Sequence, residues 1–241
     1  MSKLPEEFIN YCYRWRSNWV KSLFDGTFEM DRNKMMLDIT RLLPTVCIAQ
    51  KDAAGSIVTN GKIMGVGFLL KPKYMREAAD AFSEFIMEEG IDAQSALKAG
   101  GYDRFGSARG MPKEWQIRAL ELLKKYLFFD KDEANEKLDF EKLSTIEMGT
   151  EFPGKAAHMS TFVKENKKAT LVYFTPPVIS FEVRAEIEIQ TSGDYFDFVH
   201  GVHDVYHGEN PDLVDKPVYI FNIQEVYDNS ATKKGFGQKL T

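Results

Sequence analysis

Residues Val178–Gln190, VISFEVRAEIEIQ, constrain the fold more than any other stretch of this chain. Ile179, Phe181, Val183, Ala185, Ile187 and Ile189 alternate with Ser180, Glu182, Arg184, Glu186 and Glu188. Successive side chains leave a strand on opposite faces, so a period of two places six apolar groups on one side and five polar groups on the other. A strand of that kind belongs in a sheet with one packed face and one wet face, which is the habit of antiparallel sheets.

The segments around it supply partners. Thr45–Gln50 (TVCIAQ) and Ala169–Thr175 (ATLVYFT) are rich in β-branched and aromatic residues and read as strands. KDAAGS at 51–56 is a turn, and Ser56–Leu70, broken by Gly61, Gly65 and Gly67, reads as a hairpin. Leu138–Met148 and Pro217–Tyr227 are further strands. Helices are expected at 5–24, 32–43, 74–90, 113–128, 154–166 and 195–207. The first carries Phe8, Tyr11, Cys12, Trp15, Trp19 and Leu23 at helical spacing. FDKDEANEK reads as a charged connector, and the basic tail KKGFGQKLT as mobile or draped on a partner. Tyr173, Phe174 and Phe181 are expected in a barrel core, and Met159 and the Met35-Met36 pair as core filler.

The order of elements predicts an α+β chain: N-terminal helices at 1–44, a first barrel hairpin at 45–70, a helical insertion with a Gly-rich loop at 71–137, a core at 138–229 and a tail at 230–241. With 241 residues there is ample material for a hydrophobic core without staples. The balance of 31 basic against 36 acidic residues, net −5, creates no global field for a nucleic-acid backbone. Cys12 and Cys47 have neither disulfide-framework nor metal-pair spacing, which fits a reducing compartment. The polar start MSKLPEEFINYCYRWRSNW does not read as a signal peptide, and no run reaches the ~20 apolar residues of a membrane helix. A cytoplasmic protein with no nucleic-acid and no membrane partner is expected.

Three stretches carry a family resemblance. EFPGKAAHMSTFVKENKKATLVYF is similar to a segment in which Gly-Lys opens a helix, the helix ends in Asn and the next strand leaves a barrel. ISFEVRAEIEI resembles the family's long strand, and KPVYIFNIQEVYDNS its closing strand, often ending Val-Tyr-Asp. The family is that of the pyridoxamine 5'-phosphate oxidase-like, FMN-binding split β-barrels, and the resemblance covers about 90 residues, 138–229. It implies a homodimer with FMN near the dimer interface and redox chemistry on a small-molecule substrate. Ala156 stands where the family commonly has a hydroxyl residue, and Arg184 where it commonly has Gly.

The resemblance implies that Gly154 and Lys155 hold the FMN phosphate, with Ser160 or Thr161 one turn on. A helix N-terminus with free N–H groups suits that anion. Arg184 would face the ring or the substrate, and His158 would donate a proton or position a group; these two are the catalytic candidates. Independently, His200, His203 and His207 span about 60° of a helical wheel, with Asp197 and Asp204 on the same arc, and are read as pointing away from their helix's own core. His203-Asp204-x-x-His207 has the spacing of paired metal ligands. The alternative reading is therefore a non-flavin barrel that binds haem or a divalent metal on this face. In the loop Gly100–Pro112, Arg104, Ser107 and Arg109 precede a helix start and suit an anionic substrate or cofactor tail. A third reading is a cofactor-free interaction protein.

Overall fold

Ile179–Gln190 forms one strand of 12 residues in a computed structural model that describes residues 3–27, 37–89, 113–149, 158–207 and 216–241. Phe181, Val183, Ala185 and Ile187 are buried while Arg184, Glu186 and Glu188 face outward, as the alternation requires. The strands are β1 (Thr45–Lys51), β2 (Ile57–Ile63), β3 (Gly67–Leu70), β4 (Leu138–Thr145), β5 (Lys168–Thr175), β6 (Ile179–Gln190), β7 (Val218–Asp228) and β8 (Gln238–Lys239). The helices are α1 (Glu6–Ile9), α2 (Trp15–Phe24), α3 (Pro72–Glu89), α4 (Lys113–Tyr126), α5 (Lys131–Lys137), α6 (His158–Glu165) and α7 (Asp194–His207). Among the described residues, no helix is long and apolar enough to cross a membrane.

The protein is α+β, built on an eight-stranded sheet of order β2-β1-β5-β6-β7-β4-β3, with β8 added to β7. The path is open, with β2 and β3 at its ends. The β1–β2, β1–β5, β5–β6, β4–β7 and β7–β8 pairings are antiparallel. Asp52 closes the β1–β2 turn by accepting from the amides of Ala54 and Ser56, both at 2.9 Å, and Gly55 takes the positive φ of 81° that the turn needs. The hairpin expected over 56–70 is different: β2 folds back on β1, whereas β3 lies at the far end of the strand order, beside β4.

The chain divides into two units. The first comprises Met1–Phe68, Asp139–Ile189 and Tyr219–Thr241. Its core lies under the sheet, where Phe8 meets Tyr173 edge-on at 4.9 Å and Phe181 at 5.6 Å, and Tyr13 meets Phe68 at 5.1 Å and Phe140 at 6.0 Å. Between α1 and α2, Asn10–Arg14 is a π turn. The wider turn rotates the buried stripe away from straight α-helical spacing. Tyr13 and Val20 therefore join Phe8, Tyr11 and Cys12 in the core, while Trp15, Trp19 and Leu23, expected there, are only half-buried.

The second unit comprises Leu69–Leu138 and Gln190–Val218. Here α3 packs on α7, with Phe82 and Phe198 rings 5.8 Å apart and Gly201 set against Phe82. The barrel segment expected over 138–229 thus gives up α7 to the helical unit. The segment read as a charged connector is the helix α5, capped by Asp130, whose carboxylate accepts from the Glu133 amide at 3.0 Å. Asp130-x-x-Glu133 has the spacing of a capping box.

Two more expectations are corrected. Met159, Tyr173 and Phe181 are buried, but Phe174 is half exposed, because its register opposite Ser180 puts it on the outer face of the sheet. The tail folds back on the sheet through the two-residue strand β8: Tyr227 pairs with Lys239, Asp228 pairs with Gln238, and the Leu240 amide donates to the Val226 carbonyl at 2.8 Å.

Candidate functional site

The outer face of the first unit's sheet carries an open groove of about 700 Å³ over β1, β5, β6 and β7. Its floor is made of small groups. Cys47 and Ala49 of β1 lie beside Thr170 of β5, and Cys47 pairs with Gly61 of β2. A Cβ at Gly61 would come within 3.4 Å of the Thr45 methyl and 3.5 Å of Cys47 Sγ, so the missing side chain keeps this face low.

Charge is arranged across the strands. Lys168 lies opposite Glu186, and Thr170 opposite Arg184. The Arg184 guanidinium donates from Nε to Glu182 at 2.7 Å and from Nη1 to Glu225 at 3.2 Å, and lies 4.6 Å over the Tyr227 ring. The Glu182 hydrogen bond is the main reason its proton is held more tightly than usual. Glu225 also accepts from Lys239 at 2.6 Å, and that bond first, with Tyr227 second, holds its carboxyl below the ordinary range. Among the described residues, Lys168 has no such carboxylate clamp.

Asn166 closes one end of the groove. Its amide donates to the Ala49 carbonyl at 2.6 Å and its side-chain oxygen accepts from the Lys168 amide at 3.0 Å, tying the exit of α6 to β1 and β5. Burial pushes the Cys47 thiol up, which makes it a poor nucleophile at neutral pH. Among the described residues, no histidine lines the groove.

Of the residues named from sequence, Arg184 lines this groove. Ser160 is half-buried and Thr161 exposed on α6, and neither lines it. Gly154, Lys155, Arg104, Ser107 and Arg109, together with the side chain of His158, lie outside the described residues.

The three histidines of α7, named as the alternative haem or metal face, fall into two groups in the structure. His200 is buried, and its Nε2 lies 2.9 Å from the Lys216 carbonyl, with the Phe196 ring 4.2 Å away. Burial is the main cause of its lowered pKa. The buried face of α7 is set by Phe198, Val205 and the Gly201–Phe82 contact, and His200 falls at its border rather than opposite it. His203 and His207 remain half-buried, with rings 4.9 Å apart and His203 Nδ1 3.0 Å from Asp204. Asp197, on the same arc, is bound to Arg76 at 2.7 Å, which also engages Asp194 and Asp80. Among the described residues no group of three His, Cys, Asp or Glu side chains could hold a metal ion.

Sequence reading missed Lys168, Thr170 and Gln224. Lys168 and Thr170 share parity on β5 and stand opposite outward residues of β6, a pairing that only the register reveals.

No family model and no curated protein matches the chain. Among solved structures it is similar to a tagged form of HupZ of Group A Streptococcus, at 12% identity and a TM-score of 0.39, over 87% of this chain and 99% of that one. It is also similar to a variant of that protein in which one histidine is replaced by alanine, at 12% identity and a TM-score of 0.36, over 83% of this chain and 99% of that one.

Proposed function

We propose that this chain is a split-barrel protein that binds FMN as a homodimer and acts as a flavin-dependent oxidoreductase on a small molecule. The observation that carries the reading is the groove beside Arg184, on the outer face of an open antiparallel sheet. Its volume of about 700 Å³ falls in the range of cofactor sites. The floor of Cys47, Ala49 and Thr170 suits a flat ring, and Lys168 and Arg184 suit an anion. Set among the Glu186 and Glu225 carboxylates of the same lining, these two cations would meet the phosphate of a flavin mononucleotide, whose other end is planar.

Lys168 would hold the anionic end, because its ammonium is not committed to a carboxylate clamp. Arg184, already tied to Glu182 and Glu225, is a fixed cation that orients rather than grips. The Gln224 amide would contact polar edges of the ring. When bound, the flavin supplies the electron transfer, and the protein supplies position and field. A groove this open leaves one side of a ligand in water, which a second copy of the chain would cover.

The test is the visible spectrum of the purified protein, followed by titration with FMN. Flavin bands, or saturable uptake that weakens on the order of tenfold in Lys168→Ala, support the reading. A colourless protein that takes up no FMN sinks it. A Soret band without flavin bands, lost in His203→Ala, would favour haem on the His203–His207 pair instead.

A further inference from the structure

We propose that the loop between β7 and β8, with the β5–β6 turn beside it, is a docking tip for an anionic lipid surface. The loop reads Ser230-Ala-Thr-Lys-Lys-Gly-Phe-Gly237. Phe236 is 77% exposed, more than any other large apolar residue described. Lys233 and Lys234 precede it in the same loop, both exposed, and among the described residues neither enters an ion pair. The loop is hydrogen-bonded to the neighbouring turn: the Ala231 amide donates to the Val178 carbonyl at 2.9 Å, and the Asn229 amide to the Ser180 carbonyl at 2.9 Å. That turn presents Pro176, Pro177 and Val178, all exposed.

The tip is held rigid. The Phe236 amide donates to the Ser230 carbonyl at 3.1 Å and the Gly237 amide to the Asp228 carbonyl at 2.9 Å. A Cβ at Gly235 would lie 2.2 Å from the Ser230 carbonyl oxygen, so only glycine allows the approach. Phe236 has φ of 56°, a region in which an aromatic residue is an outlier. With 77% of its surface exposed, Phe236 gains little burial in return for that backbone, so the strained loop holds an apolar ring out toward solvent.

The chemistry selects the partner. An aromatic wedge preceded by lysines matches the boundary of a bilayer, with the ring at the acyl edge and the ammonium groups among anionic headgroups. The protein's net charge of −5 supplies no overall attraction to such a surface, so contact would rest on local cations such as Lys233 and Lys234. Contact at the surface needs no spanning segment, and it departs from the expectation of no membrane partner.

The test uses the full chain and two vesicle preparations, phosphatidylcholine alone and phosphatidylcholine with phosphatidylserine. Sedimentation with the anionic vesicles should exceed that with the neutral ones on the order of tenfold and fall as salt rises. Phe236→Asn should abolish the difference while folding well, because asparagine tolerates the left-handed region. Lys233→Glu with Lys234→Glu should do the same. Equal binding to both vesicles, no binding, or unchanged binding by Phe236→Asn would overturn the proposal. So would a wild type that ignores vesicles but changes its gel-filtration volume on Phe236→Asn, which would make the tip a contact between copies.

Discussion

Two tyrosines in the first unit lie 6.5 Å apart ring to ring and should respond oppositely to the loss of their hydroxyls. Tyr11 Oη is 2.8 Å from Thr175 Oγ1, and Thr175 Oγ1 is a further 2.8 Å from Thr40 Oγ1. Tyr173 is fully buried, and its Oη has no hydrogen-bond partner among the described residues. A buried hydroxyl left unpaired costs about 1–3 kcal/mol, whereas a satisfied one contributes about 1 kcal/mol. Tyr173→Phe removes the unpaired group and forfeits a few van der Waals contacts worth about 0.1–0.2 kcal/mol each. The net expectation is a gain of about 1 kcal/mol. Tyr11→Phe breaks the chain of hydroxyls but leaves Thr175 bonded to Thr40, for a loss of about 1 kcal/mol.

The assay must report the first unit alone, since two units make a single transition unsafe. Trp15 and Trp19 belong to the first unit and Trp115 to the second, so a Trp115→Phe background confines emission to the first. Urea titrations of both variants in that background should place their midpoints on opposite sides of the parent's. The phenol adds a pH signature. Burial pushes the Tyr173 pKa well above 10.0, so the unfolded chain releases a proton that the folded one keeps. Stability is then complete below about pH 10 and lost as pH rises beyond it. Tyr173→Phe should shrink that alkaline loss. If Tyr173→Phe proves as damaging as Tyr11→Phe, the hydroxyl has a bonded partner, such as a buried water, and the reasoning fails.

Gly201→Ala should destabilise the second unit by about 1 kcal/mol, read from Trp115 emission: the new Cβ lies 2.8 Å from Phe82 Cβ, and overpacking of about 1–3 kcal/mol outweighs a helix-propensity gain of about 1 kcal/mol. Gly235→Ala should open the β7–β8 loop, so that the Gly237 and Leu240 amides, bonded to Asp228 and Val226, exchange with solvent faster. His200 is depressed by burial, so the unfolded state binds its proton first and stability should fall as pH drops through about 6.5; His200→Gln should flatten that limb in an acid series of unfolding midpoints.

Local pattern was enough for β1 to β7 of the sheet and failed for β8 and for other features that a distant contact decided. The alternation of β6 reports its own burial, because a strand's two faces are written in adjacent residues. The helix at 194–207 was also legible, but its allegiance was not: it joins α3 through Gly201 meeting Phe82, residues 119 positions apart (201 − 82), and no local signal links them. His200 was misplaced for the same reason, since its burial comes from Lys216 and Phe196 at the border of a face that α3 defines. The π turn at Asn10–Arg14 defeated a stripe counted at 3.6 residues. The α5 helix was within reach, because Asp130 and Glu133 announce a cap, yet its charge made it look like a connector.

The candidate site shows the same division. Arg184 stood out because it interrupts the pattern of a resembled strand, and the structure places it in the groove. Lys168 did not stand out, because a lysine beginning a strand looks like ordinary solvation; only its register against Glu186 shows which face it serves. The tail is the sharper case. Gly235-Phe236-Gly237 reads as flexible, since glycine widens the unfolded ensemble. In the fold, one glycine sits where a Cβ would lie 2.2 Å from the Ser230 carbonyl oxygen and the other adopts φ of 87°, so both are demanded by a fixed conformation. Glycine signals freedom in the unfolded chain and constraint in the folded one, and the choice between them lies in the Ser230 and Asp228 carbonyls that the loop folds back to meet. For that reason the exposed Phe236 ring is the output of a rigid loop, and a substitution that relaxes its backbone while removing its ring separates holding from docking.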